Sequence, residues 1–141
     1  MKFATLACAG LAASLLLAAP ASAQIDFLKA PKVACAPESV TRCSAADKCT
    51  TRPASAKDKA DLLVIDFAAK KAAVRRGGEA KPFADIVDEQ VNGDERRFAL
   101  ARPGKSGDGV KLRAVLSKSG KLSLITGGDG NKAEASCTAE S

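Results

Sequence analysis

Cysteine supplies most of the covalent chemistry open to this sequence, which has five Cys and no His. Without His there is no imidazole general base, no His-ligated metal and no catalytic triad of the usual kind. Cys35, Cys43, Cys49 and Cys137 lie beyond a leader segment, at spacings x7 and x5 with no CxxC, which is the wrong pattern for a zinc site. An even number of Cys in an exported chain reads as two disulfides. Residues 40–43 and 49–52 read as short strands around a polar loop at 44–48, a hairpin that sets Cys43 opposite Cys49. Cys35 is then left for Cys137, tying the start of the domain to its last strand. In the chain-entropy account a ring of about 100 residues stabilises by about 4.7 kcal/mol, against about 2.4 kcal/mol for the small ring.

Three other groups have residue types that do chemistry elsewhere. Asp85, Asp88 and Glu89 are close in sequence, and strand alternation puts Asp85 and Glu89 on one face and Asp88 on the other. They read as a solvated strand face rather than an acid–base pair. Ser119-Gly120-Lys121 reads as a hairpin turn, where a lysine is too solvated to act as the base of a Ser–Lys pair. Gly127-Gly128-Asp129-Gly130-Asn131 has too few carboxylates for calcium and lacks the Lys-Ser or Lys-Thr of a phosphate loop, so it reads as a glycine turn. With the thiols paired and no cofactor or metal motif, the expectation is a protein that is not an enzyme.

The basic residues form the remaining candidate site. Arg75-Arg76, Arg96-Arg97, and Lys111 with Arg113 fall on candidate strands of a chain with a net charge of +6. Alternation sends at least one of each adjacent pair outward, and strands in register would align them as an anion-binding face. Ordinary solubilising charge is the competing reading. Nucleic acid is disfavoured, because the chain has no Tyr or Trp on which bases stack. An electrostatic partner would therefore be an anionic component of the cell envelope.

The elements that must carry these residues read as strands joined by tight turns. Residues 110–116 alternate cleanly, with Leu112, Ala114 and Leu116 on one face, and Asn92-Gly93 is a strong hairpin signal. Phe98 and Leu100 share a face on the strand at 96–101, and turns recur at roughly 10 to 16 residues. The pattern predicts an all-β fold, a small antiparallel meander closed as a barrel or sandwich and stapled by two disulfides. Residues 57–76 are rich in Ala, Lys and Leu and also fit a helix. Val64-Ile65 and the turn-like Lys70-Lys71 favour a hairpin there.

Residues 1–23 read as a cleaved export signal. Lys2 supplies the positive start, 3–19 are uncharged and largely apolar, and Pro20 precedes the small-residue site Ala21-Ser22-Ala23. Cys8 falls within the discarded apolar run. Cleavage before Gln24 removes Lys2 and leaves 118 of the 141 residues, with the net charge falling from +6 to +5. The expected organisation is a signal peptide at 1–23, an N-terminal arm at 24–34 and one domain at 35–141, periplasmic or secreted, with no transmembrane segment.

The run Cys35-x7-Cys43-x5-Cys49, followed by Leu63-Val64-Ile65-Asp66-Phe67 and a late Cys137, resembles small exported disulfide-linked β-proteins of proteobacteria. The architecture is also similar to the periplasmic C-type lysozyme inhibitors, and that similarity implies a small disulfide-linked β-barrel. Inhibitory loops of that family resemble Ser-Gly-x-x-Tyr. Ser119-Gly120 matches only the first two positions and the chain has no Tyr, so no site residue carries over. The leading expectation is a binding or structural module of the envelope. The alternatives are an inhibitor or binder of the lysozyme-inhibitor type and a small lipocalin-like carrier. Mass spectrometry of the exported protein should find a chain beginning at Gln24, open or cyclised to pyroglutamate. Retention of Met1, or lipid on Cys8, would overturn the assignment.

Overall fold

The computed structural model describes residues 24–45, 47–102, 111–126 and 130–141. The expected export signal, the loop expected at 103–108 and most of the glycine turn at 127–131 lie outside them. The elements run β1 (Lys32–Ala45), β2 (Lys48–Pro53), α1 (Ala56–Lys59), β3 (Asp61–Asp66), β4 (Lys71–Arg76), β5 (Glu79–Asn92), β6 (Glu95–Ala101), β7 (Lys111–Ser117), β8 (Lys121–Thr126) and β9 (Lys132–Glu140). Every pairing is antiparallel, and eight of the strands close into a barrel.

Closure depends on β1. Its first residues pair with β3, from Lys32↔Asp66 to Cys35↔Leu63, while its other edge pairs with β9, from Lys32↔Glu140 to Thr41↔Lys132. A bulge between Pro37 and Ser39 bends the strand as it leaves β3, and beyond it β1 pairs with β2, from Ser39↔Pro53 to Ala45↔Lys48. Pro37 sits at that bulge, where a missing N–H is tolerated. The Cys43–Cys49 and Cys35–Cys137 disulfides are both present, each between directly opposed residues of neighbouring strands.

Alternation fills the interior. Val33, Cys35, Ile65, Ala72, Ala84, Ile86, Phe98, Leu100, Ala114, Leu116, Leu122, Ala135 and Cys137 form one continuous buried cluster. Ile65, Leu116 and Leu122 are completely buried; each such side chain stabilises by about 1.5 to 3 kcal/mol relative to exposure. The many inward alanines keep the barrel narrow. The choice between barrel and sandwich resolves to a barrel because the edge left by β9 is taken by β1.

Residues 57–76 resolve into a single helical turn followed by the β3–β4 hairpin. At the start of α1 Ser55 caps Asp58 N–H and the Asp58 carboxylate accepts back from the Ser55 backbone. In the β3–β4 turn the Asp66 carboxylate accepts from Ala69 N–H at 2.8 Å, and Lys70 takes the left-handed conformation, φ 57°. The hairpin at Asn92-Gly93 is present, with Gly93-Asp94 as its two connecting residues.

The expected arm at 24–34 is divided differently. Strand β1 starts at Lys32, so Val33 and Ala34 belong to the barrel wall. The residues before it seal the barrel end at which β1 begins. Pro31 O accepts from Phe67 N–H at 2.8 Å, and Phe27 packs against the core. A Cβ on Gly120, which has φ +87°, would lie 2.8 Å from the Phe27 ring. Ser119-Gly120 is therefore a packing turn. Gly120→Ala should destabilise the protein by about 1 to 3 kcal/mol in urea titration, from left-handed strain plus the clash. Combining it with Phe27→Ala should remove the steric share and retain the backbone share.

Candidate functional site

The six basic residues expected to share a face are dispersed by the barrel. Arg75 lies on β4 and reaches Glu140 of β9 at 2.5 Å, across β3 and β1. Its hydrogen bonds hold the Glu140 carboxyl below its ordinary range. Arg76 is paired with Asp61 at the opposite end of the barrel from the N-terminal seal, and hydrogen bonds from Arg76 lower the Asp61 pKa. Neither arginine joins β6 and β7. Here the expectation of one aligned face is corrected.

Arg96 is corrected more sharply, because it faces inward. It is in phase with Phe98 and Leu100 and is only 9% exposed. Its Nε donates to Glu89 at 2.7 Å, and its Nη2 donates to the same carboxylate. Nη1 donates to the carbonyls of Leu28 at 3.2 Å and Ala30 at 3.1 Å. The guanidinium stacks 3.4 Å from the centre of the Phe67 ring, which in turn meets Phe98 edge-on. All three nitrogens of this cation are bonded and one of its faces is stacked on a ring, so it ties the N-terminal segment to the barrel.

Glu89 reaches Arg96 through a bulge. The β5–β6 register slips between Val87 and Gln90, and Asp88 takes φ 54°. Without the slip, Asp88 would take the inward phase of Ala84 and Ile86; with it, Glu89 does. Asp85 stays outside, paired with Lys71 at 2.5 Å. The expectation that Asp85 and Glu89 share a face is thus reversed. Burial raises the Glu89 pKa, but hydrogen bonds from Lys70 and Arg96 outweigh it and leave the carboxyl below its ordinary value.

What remains outside is a smaller patch on β6, β7 and β8. Arg97 and Arg113 project from adjacent strands around a groove of about 610 Å³, lined also by Ala99, Val115 and Ile125 and, from β5, by Asp88 and Gln90. Glu95 accepts from Arg97 at 2.7 Å, while Arg113 is exposed and has no ion pair among the described residues. Lys111 holds the register position opposite Ala101, two residues before Arg113 on the same strand.

The other candidates have structural roles. Lys121 Nζ donates to Glu38 at 2.8 Å and Ser136 at 2.7 Å, so its head group is taken up in contacts between strands. Hydrogen bonds donated to Glu38 by Lys121, the larger cause, and by the Ser136 hydroxyl lower the Glu38 pKa. Asn131, at the end of the glycine turn, accepts from Cys43 N–H at 2.8 Å. Among the described residues no group of three or more Cys, Asp or Glu is placed to hold a metal ion, and no helix is long and apolar enough to cross a membrane.

The Arg96–Glu89 lock was missed in the sequence, although its signal was present. Arg96 is two residues before Phe98 and four before Leu100, which assigns it to their face. The bulge that supplies Glu89 carries no comparable mark. No family model, curated protein or solved structure matches the chain.

Arg96→Met should cost about 1 to 3 kcal/mol, because it removes two hydrogen bonds from the half-buried Glu89 carboxylate, which keeps only Lys70. Because the folded-state pKa of Glu89 is depressed, its contribution is present above the unfolded value near 4.5 and lost as pH falls through the lower folded value. Denaturant titration over this acid range should show a smaller pH dependence in Arg96→Met than in the parent.

Proposed function

We propose that this protein is an exported binding module of the cell envelope whose β6–β7–β8 outer face engages an anionic, amphipathic envelope component. The observation that carries the reading is the placement of two cations, Arg97 and Arg113, against the one carboxylate of Asp88, around a groove lined also by Ala99, Val115 and Ile125. Such an arrangement suits a negatively charged headgroup attached to apolar matter. Charge attracts the ligand, and the apolar lining adds contact area. Lys111 precedes Arg113 by two positions on β7. Two disulfides and the Lys2-to-Ala23 leader support export.

The alternatives gain less support. A lysozyme-inhibitor reading needs an acidic patch for a basic enzyme, and the acidic trio is split, with Glu89 inside and Asp85 neutralised by Lys71. A carrier needs interior space, whereas Ile65, Leu100, Leu116 and Leu122 are packed together in the barrel interior.

Each exposed cation near an anionic surface contributes about 1 kcal/mol, fading beyond a Debye length of about 8 Å at physiological salt. Binding should therefore be weak and reversible. The protein should sediment with phosphatidylglycerol vesicles at low salt, much less at high salt, and not with phosphatidylcholine vesicles. Arg97→Glu with Arg113→Glu should reduce binding to the anionic vesicles by at least about tenfold. Equal binding to both vesicle types, none to either at low salt, or an unaffected double variant would refute the reading.

A further inference from the structure

The β1–β2 hairpin extends past the barrel and leaves one edge of β2 unpaired. The hydrogen bonds around it establish which backbone groups face that edge. Cys43 N–H donates to Asn131, on the β9 side of β1, so Cys43 is turned away from β2. Its cross-strand partner Cys49 is therefore in a non-hydrogen-bonded pair, and its own N–H and C=O point to the free edge. At the other end Ala54 N–H donates to Glu38 O at 2.8 Å, so Ala54 is turned toward β1. Alternation between these two ends turns Thr50 and Arg52 toward β1, and turns Cys49, Thr51 and Pro53 outward.

Pro53 has no N–H, and its carbonyl accepts from Arg52 Nη1 at 3.2 Å. The open edge is thus short, formed by the N–H and C=O groups of Cys49 and Thr51. All six residues of β2 are exposed. The disulfide holds this edge extended, since it crosslinks Cys49 to Cys43 directly across the hairpin.

The side chains beside the edge are basic. Lys48, Thr50 and Arg52 alternate onto one face of the hairpin, and Arg42, opposite Thr50, shares that face. Arg52 is held by Asp58 at 2.7 Å, while Arg42 and Lys48 have no ion pair among the described residues. A second copy added across this edge would bring the same cations against each other. An acidic strand would meet complementary charge.

We propose that the free edge of β2 accepts an extended acidic peptide segment as an added antiparallel strand, through backbone hydrogen bonds to Cys49 and Thr51 and charge pairing with Arg42 and Lys48. Four main-chain hydrogen bonds are available from the two residues, and carboxylates at alternate positions of the partner would fall on the basic face. This surface is separate from the β6–β7–β8 patch and does not depend on it.

The probe is a capped octapeptide of alternating Thr and Glu, with alternating Thr and Lys as its counterpart, titrated into the disulfide-bonded protein and followed by amide NMR. The Glu peptide should shift the Cys49 and Thr51 amides and slow their hydrogen exchange, while the Lys peptide should do neither. Thr51→Pro removes an N–H that makes no bond to β1, so it should leave the fold intact and weaken the Glu peptide at least tenfold. Arg42→Glu with Lys48→Glu should weaken the Glu peptide at least fivefold and admit the Lys peptide. This second variant tests the proposal even if the proline variant does not fold. Four results would overturn it: no response at millimolar peptide, unchanged affinity in folded Thr51→Pro, unchanged charge preference in the double variant, or a peptide-free dimer that protects the same amides.

Discussion

The seam between β1 and β9 is the constraint on which the structure depends. An antiparallel meander has two free edges, and they join only if the first and last strands meet in one register. Here Cys35 lies opposite Cys137, and their disulfide crosses the seam inside the core. The bond does two physical jobs. It restricts the unfolded chain over a separation of 102 residues, and it puts buried sulfur where an open sheet would have an edge. Once β1 is held against β9, β3 can take the other edge of its first residues, and the remaining strands follow in sequence.

The core that results is narrow. Ala72, Ala84, Ala114 and Ala135 face inward, and Phe67 and Phe98 are its buried aromatics. A barrel lined this way is filled by its own side chains. At the end where β1 begins, the chain preceding the strand acts as a seal. Phe27 rests on Gly120, and Leu28 and Ala30 give their carbonyls to Arg96. A buried guanidinium is costly unless its donors are paired. That cost gives the lock its selectivity, since only this position of the N-terminal segment supplies the carbonyls.

The outside is governed by neutralisation. Lys71 with Asp85, Arg75 with Glu140, Arg76 with Asp61 and Lys121 with Glu38 stitch neighbouring or nearby strands together. Exposed pairs of this kind contribute little stability individually, but they decide where uncompensated charge remains. Arg113 beside the groove, and Arg42 with Lys48 on the hairpin, are two such places on separate surfaces. Net charge alone therefore says less about this protein than the pattern of pairing does. Among the described residues, Arg113 is separated from Arg42 and Lys48 by the strands between them, and the six basic residues do not form one face.

The alternation of apolar residues on β6 and β7, the turns and the two cysteine pairings were legible in the sequence, because side-chain direction on a strand repeats every two residues and opposed cysteines need only local or end-to-end closure. On its own the sequence determined an all-β, disulfide-stapled chain, and the phase of Phe98 already implied the inward position of Arg96. It did not determine where Glu89 points. That depends on a one-residue slip at Asp88, which reverses the phase of everything after it and is enforced by the partner strand. Nor did it determine which cations stay free, since Arg75 finds Glu140 across two intervening strands and a separation of 65 residues. Sequence periodicity is a local property of each strand. Barrel closure, bulge phase and ion pairing join residues distant along the chain, and only the tertiary structure decides them.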